Sequence, residues 1–285
     1  MSDFPWRKHS KKELLDEFNK MKDKLEEIDD ISFPLPYSRV GYKCSNHFFQ
    51  YERMKTASFG NISCYDFWKS NKNKIIKYNK SMRKSRKNSH DLLATTIFMK
   101  HAPAQFPTFI AAQIYKFFNA KKILDPFAGW GDRCFASIVL DIDYIGIDSN
   151  INLKPLYDKM INFYPTKSKT KMIYKKCENV DINKLDFDFV FSSPPYWNYK
   201  FQLLENYYNC ERDYNLFLHN SLIPFIKTCM KINPDIWICL NIPPMMYDDI
   251  KKYVGKCKKK INFTSGSNNK SKNHSKYILN NIYCF

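Results

Sequence analysis

Hydrophobic positions fall into two regimes along the chain. Near the start, Leu14, Leu15, Phe18, Met21, Leu25 and Ile28 recur at helical spacing, behind the capping box Ser10-Lys11-Lys12-Glu13 and ahead of Asp29-Asp30. This predicts an amphipathic helix packed on a larger body. From Phe33 to about Trp68 the sequence is aromatic and irregular, interrupted by Pro34 and Pro36. From Asp91 onward, short apolar runs alternate with helical stripes, the signature of a parallel sheet covered by helices. Strands are expected at 121–127, 143–148, 171–177, 187–193, 235–243 and 276–285. Helices are expected at 107–120, 132–140, 153–164 and 216–231, the last with a proline inside. Residues 255–276, rich in Lys, Asn and Ser, read as an exposed loop. The fold class is therefore α/β and Rossmann-like, a central, mostly parallel sheet with helices on both faces. Two units are expected: a basic, helical N-terminal extension over 1–90 and a catalytic domain over 91–285.

A chain of 285 residues with 44% hydrophobic content can bury a sizeable core. No run approaches the roughly 18 apolar residues of a membrane span, and the first residues lack the apolar region of a secretory signal. A cytoplasmic protein is expected, in a bacterial cytosol or, for a viral protein, in the host cytoplasm. The nine cysteines are scattered and form no C-x-x-C pair, so they read as reduced thiols in apolar surroundings, with neither a zinc ribbon nor a disulfide framework suggested.

Charge changes the picture more than size does. The formal net charge is +18, which makes polyanions, and nucleic acid above all, the leading partner class. The wealth of Lys, Asn, Ile, Tyr and Phe also fits an A/T-rich genome, so distribution matters more than the total. Nine basic residues and no acid lie between Lys69 and His90, with Arg83, Lys84, Arg86 and Lys87 at the centre. Nine lysines and no acid follow from Lys251 to the end, including Lys258, Lys259 and Lys260. Two such runs are expected to form an electrostatic footprint.

Two stretches carry candidate chemistry. In ILDPFAGWGDR (123–133) a strand enters a loop with Gly129 and Gly131 and then a helix, which brings backbone N–H groups to a ligand at the carboxyl end of the sheet. The third glycine of a dinucleotide fingerprint is missing, and Asp132 lies where a phosphate would sit, so a ligand with an ammonium and no phosphate fits better. Asp148 ends the next strand, where an acid can take both hydroxyls of a ribose. Glu178 follows the third and could accept a bond from an adenine amino group, a role for which Asn179 and Asp181 compete. In SSPPYW (192–197) the diproline closes a strand and stiffens the turn. Ser193 and the carbonyl of Pro194 could accept the two N–H bonds of an exocyclic amino group and favour the tetrahedral nitrogen that attacks a methyl. Tyr196 would stack on the base and Trp197 would form a wall.

Together these segments resemble the S-adenosylmethionine-dependent amino-methyltransferases that modify adenine N6 or cytosine N4 in DNA. HAPAQFP (101–107), DPFAGWG (125–131) and SPPY (193–196) match the family's cofactor segment, glycine loop and catalytic tetrapeptide, and the likeness spans roughly 95–285. The resemblance implies S-adenosylmethionine as cofactor, with His101, Ala104, Gln105 and Phe106 forming part of its pocket. It implies that Asp125, Phe127, Gly129 and Gly131 hold methionine and ribose, that Asp148 binds the ribose, and that Ser193, Pro194, Pro195 and Tyr196 are catalytic. A base in a duplex would have to flip out. Serine at 193, where adenine enzymes commonly carry Asp or Asn, tilts the reading towards cytosine N4. No long insertion supplies target recognition, which leaves residues 1–90, the aromatic loop 198–215 and the lysine-rich C-terminal loop. DNA is the expected partner; an RNA base methyltransferase and an inactive nucleic-acid-binding subunit are the alternatives, as monomer or homodimer.

Overall fold

A computed structural model describes residues 3–58, 62–85, 91–198, 202–203, 208–264 and 279–285. Among them seven strands form one sheet: β1 (Lys122–Asp125), β2 (Asp143–Ile147), β3 (Thr170–Ile173), β4 (Phe189–Ser192), β5 (Trp237–Asn241), β6 (Lys259–Thr264) and β7 (Leu279–Cys284). Their order is β3-β2-β1-β4-β5-β7-β6. The first five are parallel, and β7 runs antiparallel between β5 and β6. Chain direction across the sheet reverses between β1 and β4, which opens a crevice at the carboxyl ends of those strands, the usual ligand position in such sheets. The fold is the Rossmann-like α/β architecture expected.

Each central strand is buried on both faces. Phe189 and Phe191 of β4 enter one apolar cluster with Ile123, while Val190 enters the other with Leu124. The first cluster is covered by α1 (Lys11–Glu26), α2 (Tyr42–Lys55), α5 (Thr108–Phe117), α6 (Asp132–Val139) and α7 (Lys154–Phe163). The second is covered by α8 (Tyr214–Phe217), α9 (Ile223–Ile232) and α10 (Pro244–Val254). Two further helices, α3 (Cys64–Ser85) and α4 (Leu92–Lys100), close a smaller cluster around Phe4, Met54, Trp68 and Leu93.

The expected N-terminal helix forms, and its stripe of Leu14, Phe18, Met21 and Leu25 is buried in the main core. Phe18 stacks on Tyr164 with ring centroids 5.4 Å apart. The Lys116 ammonium caps this helix end by donating to the Leu25 carbonyl, and it also reaches the Ile28 carbonyl just beyond at 3.1 Å. The N-terminal extension is thus continuous with the core of the sheet domain.

Several regions differ from the sequence reading, among them α4, which was not foreseen. The stretch 33–68 read as irregular contains α2 and the start of α3. Helix α10 was not foreseen, and Lys259–Thr264, read as loop, is the edge strand β6. Its alternation is real: Ile261 and Phe263 are buried and Lys260 is exposed. The helix expected at 216–231 forms around Pro224, but as α8, a π-turn at Leu218–Leu222 and α9. A proline cannot accept an ordinary α-turn before it without a clash, and widening the turn relieves that clash. No helix among the described residues is long and apolar enough to cross a membrane. All nine cysteines are free thiols.

One ion pair ties the centre together. Arg133 Nε lies 2.7 Å from Asp125 Oδ2, and both side chains are almost fully buried. Asp125 also accepts the hydroxyl of Ser192 at 2.6 Å and that of Tyr144 at 2.7 Å. It therefore joins β1, β2, β4 and α6.

Phe18→Ala is expected to cost about 3–5 kcal/mol in a single cooperative urea transition followed by tryptophan fluorescence. A separate early transition would show that α1 folds apart from the sheet. Arg133→Met, which strands a buried carboxylate, is expected to cost about 3–5 kcal/mol. The double variant with Asp125→Asn should recover part of that loss, because the two changes share one interaction.

Candidate active site

A cavity of about 1150 Å³ opens at the carboxyl ends of the strands. Its floor is the loop between β1 and α6. Gly129 and Gly131 take φ values of 62° and 77°, the left-handed region that glycine enters freely. At Gly131 a Cβ would also sit 2.5 Å from the Phe49 ring of α2. The turn is held from both sides: Gly129 N–H donates to Asp148 Oδ2 at 2.8 Å, and Tyr157 donates to the Gly129 carbonyl at 2.9 Å. Asp148 Oδ1 accepts the Asn150 N–H at 2.8 Å. Burial pushes the Asp148 carboxyl up to about 6, against the pull of its two backbone hydrogen bonds.

Asp132, at the first position of α6, also lines this cavity. It accepts bonds from Ser45 Oγ at 2.5 Å and Gln105 Nε2 at 2.9 Å. Both partners are neutral, and burial again pushes the carboxyl up to about 6. Asp125, by contrast, spends its charge on Arg133 and lies outside the cavity lining. A buried carboxylate, Asp132 at the start of α6, and a half-buried one, Asp148 just after β2, therefore face the cavity.

The opposite wall is the turn after β4. Ser193, Pro195 and Tyr196 line the same cavity. Ser193 Oγ and the Tyr196 hydroxyl are hydrogen-bonded at 2.5 Å. Asn241, at the end of β5, donates from its carboxamide to Ser193 Oγ at 3.2 Å and also to the Tyr196 hydroxyl. A second diproline, Pro243-Pro244, follows it and lines the cavity too. Adjacent parallel strands thus each run into a diproline, the second of which opens α10.

Of the residues singled out in the sequence, Ala104, Gln105, Phe106, Phe127, Gly129, Asp148, Glu178, Ser193, Pro195 and Tyr196 line this one cavity. Glu178 accepts a bond from Ser221 Oγ at 3.0 Å, and Ser221 is turned towards it by the π-turn. His101, Asp125, Gly131, Pro194 and Trp197 are outside the lining. His101 ends α4 with φ 53° and its carbonyl accepts the Ser58 hydroxyl. Trp197 is 3% exposed and packs on Tyr214 and Phe217, so it forms no wall and offers no face to a nucleic acid. The alternation that points Tyr196 into the cavity sends Trp197 into the core.

Lys259 and Lys260 open β6 and Lys258 precedes it, with their ammonium groups over the rings of Trp237, Phe33, Phe117 and Tyr283. Trp237 opens β5 and Phe117 ends α5, so Lys258 and Lys259 lie towards the end of the sheet away from the cavity. Arg86 and Lys87 lie outside the described residues, and of Arg83 and Lys84 only the helical backbone of α3 is described.

Sequence reasoning missed Asn241 and the whole of α2. Helix α2 supplies Ser45 to Asp132, and Arg53 donates to the Pro103 carbonyl at 2.9 Å, which fixes the 101–107 segment. Asn241 had a readable signal in NIPP (241–244), an echo of SSPP one strand away. The polar positions of α2 had none.

No protein-family model matches the chain, and no curated protein matches it in sequence. Solved structures resemble it distantly. The lmo1582 protein of Listeria monocytogenes, described as a class I S-adenosylmethionine-dependent methyltransferase, is 16% identical with a TM-score of 0.44, over 96% of this chain and 86% of its own. SMU.472, described as a methyltransferase and crystallised with SAH, is 15% identical with a TM-score of 0.43, over 64% of this chain and 53% of its own. The tRNA (uracil-54, C5)-methyltransferase of Pyrococcus abyssi, in complex with S-adenosyl-L-homocysteine, is 14% identical with a TM-score of 0.41, over 64% of this chain and 39% of its own. The match thus spans about half of SMU.472 and less of the Pyrococcus abyssi enzyme.

Proposed function

We propose that the protein is an S-adenosylmethionine-dependent methyltransferase acting on the exocyclic amino group of a base in DNA, adenine N6 or cytosine N4, presented by flipping. The observation that carries this reading is that the glycine loop, Asp132, Asp148 and the Ser193–Pro195–Tyr196 turn line a single cavity. Its volume, slightly above the usual range of ligand pockets, leaves room for a nucleoside cofactor and a base together.

The residues suit this cofactor. Asp132 is a buried carboxylate with only neutral hydrogen-bond partners, and a cationic ammonium would compensate its charge. Asp148 ends β2 with both oxygens anchored by backbone N–H groups, and it retains lone pairs for ribose hydroxyls. Gln105 and Phe106 border the same space, and Glu178 with Ser221 would meet the adenine. When bound, S-adenosylmethionine supplies an electrophilic methyl on a sulfonium. The protein's part is acceptor placement: Ser193 Oγ, on the cavity wall, accepts a hydrogen bond from the amino group and directs the nitrogen lone pair at that carbon, while Pro194, outside the lining, only stiffens the turn. Nitrogen gains a bond to the methyl carbon as that carbon's bond to the sulfonium sulfur breaks, leaving a neutral thioether, and nitrogen releases one proton to water.

A second reading, RNA as substrate, is favoured by the mouth of the cavity. Tyr37, Tyr42, Trp130 and Lys55 line it, and Lys55 lies 3.8 Å from the Tyr51 ring centroid. Aromatic rings beside a cation suit unpaired bases.

Nucleoside mass spectrometry on plasmid DNA and total RNA from expressing cells tests both. Methylated deoxyadenosine or deoxycytidine, absent with Pro195→Ala, is expected; methylated ribonucleosides alone would favour RNA, and no new nucleoside in either pool counts against the reading. In the same system Ser193→Ala should lower transfer about 10²-fold or more with cofactor affinity unchanged, whereas Asp148→Ala should weaken cofactor binding first. Because Asp132 and Asp148 carry carboxyls raised to about 6 and bind the cofactor as anions, affinity should hold above pH 6 and fall as pH drops through it. Calorimetry with S-adenosylhomocysteine between pH 5 and 8 checks this, and a flat profile would remove both carboxylates from the binding site.

A further inference from the structure

An aromatic surface continues outward from the mouth of the cavity. Lys55 lines that mouth at the end of α2, and its ammonium lies 3.8 Å from the centre of the Tyr51 ring and 5.8 Å from that of Tyr65. Lys69, one turn beyond Tyr65 on α3, lies 4.2 Å from the same Tyr65 ring. Trp6 joins the two tyrosines, with its ring centroid 5.1 Å from that of Tyr51 and 6.1 Å from that of Tyr65, and its plane is 21° from the latter. Three rings and two ammonium groups, drawn from the N-terminal segment, α2 and α3, thus form one patch.

The patch is held from beneath. Phe4 lies under Trp6 at 4.2 Å and meets Trp68 at 6.0 Å in the small apolar cluster. The N-terminal segment is tied to α2 by a pair of bonds between Gln50 and the Arg7 backbone: the Arg7 N–H donates to Oε1 at 3.1 Å, and Nε2 donates to the Arg7 carbonyl at 2.7 Å. Core packing accounts for Phe4 and Trp68, which are buried. It does not account for Tyr51, which is 43% exposed, or for the two exposed lysines beside it. Two acids lie near: Glu52, in the cavity lining, and Asp66, 3.8 Å from Lys69. Beyond Lys69 the exposed Lys74, Lys77 and Lys80 continue along α3 with no acid among them.

We infer that Trp6, Tyr51 and Tyr65, with Lys55 and Lys69, form a stacking platform for an unpaired stretch of the DNA strand that carries the target base. This deepens the DNA amino-methyltransferase reading, on which the choice of DNA rests, by naming the form of the substrate. A ring can stack only on a bare base face, and in a duplex both faces are covered by neighbouring pairs. The cations beside the rings suit the phosphates of the same strand. A base that stacks on Tyr51 displaces the Lys55 ammonium from the ring and leaves it to the adjacent phosphate. An unpaired strand also delivers its base to the cavity without the cost of breaking a pair.

Fluorescence anisotropy on the full-length protein tests this with a labelled DNA strand of about twelve nucleotides, the same strand in a duplex, and an RNA strand of the same sequence. The single DNA strand should bind more tightly than the duplex. Tyr51→Leu keeps an apolar side chain without the ring and should weaken single-strand binding about tenfold, the order of one base stack. Tyr51→Phe keeps the stacking face and should bind as the wild type does, and Tyr65→Leu carries the comparison if Tyr51→Leu fails to fold. Lys55→Gln with Lys69→Gln should reduce the salt slope of single-strand binding by about 1.4. Lys231→Gln, at the end of α9 and the amino end of β5, should leave the slope unchanged. Folded tyrosine and lysine variants that bind the strand as the wild type does, or a duplex bound as tightly as the single strand, overturn the inference and leave the cavity reading to its own test of methyl transfer. RNA bound more tightly than DNA overturns the choice of DNA. Strand binding that depends on the platform, with no methylated nucleoside in either pool, upholds the platform and removes the amino-methyltransferase reading.

Discussion

The structure turns on the buried pair between Asp125 and Arg133. A carboxylate without solvent is tolerable only with a full set of donors, and Asp125 has them in Arg133, Ser192 and Tyr144. Those partners come from three elements, α6, β4 and β2, so the end of β1 cannot move without disturbing all three. Arg133 also donates to the Phe127 carbonyl, which carries the constraint into the glycine loop. The loop is consequently shaped from beneath, before any ligand arrives. This also explains why Asp125 faces inward while Asp132 and Asp148 face the cavity: the acid with a resident cation needs no ligand, and the two without one have charge left to offer.

What the sequence made legible follows from how local each signal is. The turn at Gly129 and Gly131 could be read because left-handed backbone is a demand on single residues. Strands β4 and β5 could be read because burial on both faces leaves an unbroken apolar run. The turn at Ser193 could be read because two prolines fix their own geometry. Helix α2 could not. Its buried face includes Ser45, Asn46, Gln50 and Arg53, whose partners are a loop and a distant aspartate, so no apolar stripe announces it. Strand β6 was hidden by lysines at its start, although Ile261 and Phe263 keep the two-residue period. Trp197 was misplaced for the opposite reason: an aromatic beside a catalytic turn reads the same whether it faces the cavity or the core.

The basic character of the chain divides in a comparable way. Lys258 and Lys259 hold their ammonium groups over aromatic rings at the far end of the sheet. On α3, Lys74, Lys77 and Lys80 are exposed, on a helix whose other face closes the cluster around Trp68. Net charge alone did not separate these two settings of lysine; the ring contacts of the ammonium groups do.

The clamp of α2 on the glycine loop has a kinetic side. Ser45 and Asp132 are 87 residues apart in sequence, Arg53 and Pro103 are 50 apart, and Tyr164 reaches the Cys44 carbonyl across 120. Closing such long loops is an entropic cost met only late, once distant segments have already found each other. The ligand seat is therefore among the last features a folding chain can assemble, and a partly folded chain lacks it. Anything that binds there selects the finished molecule, so ligand occupancy in a cell would act as a proofreading signal, protecting completed chains and leaving stalled ones to proteolysis.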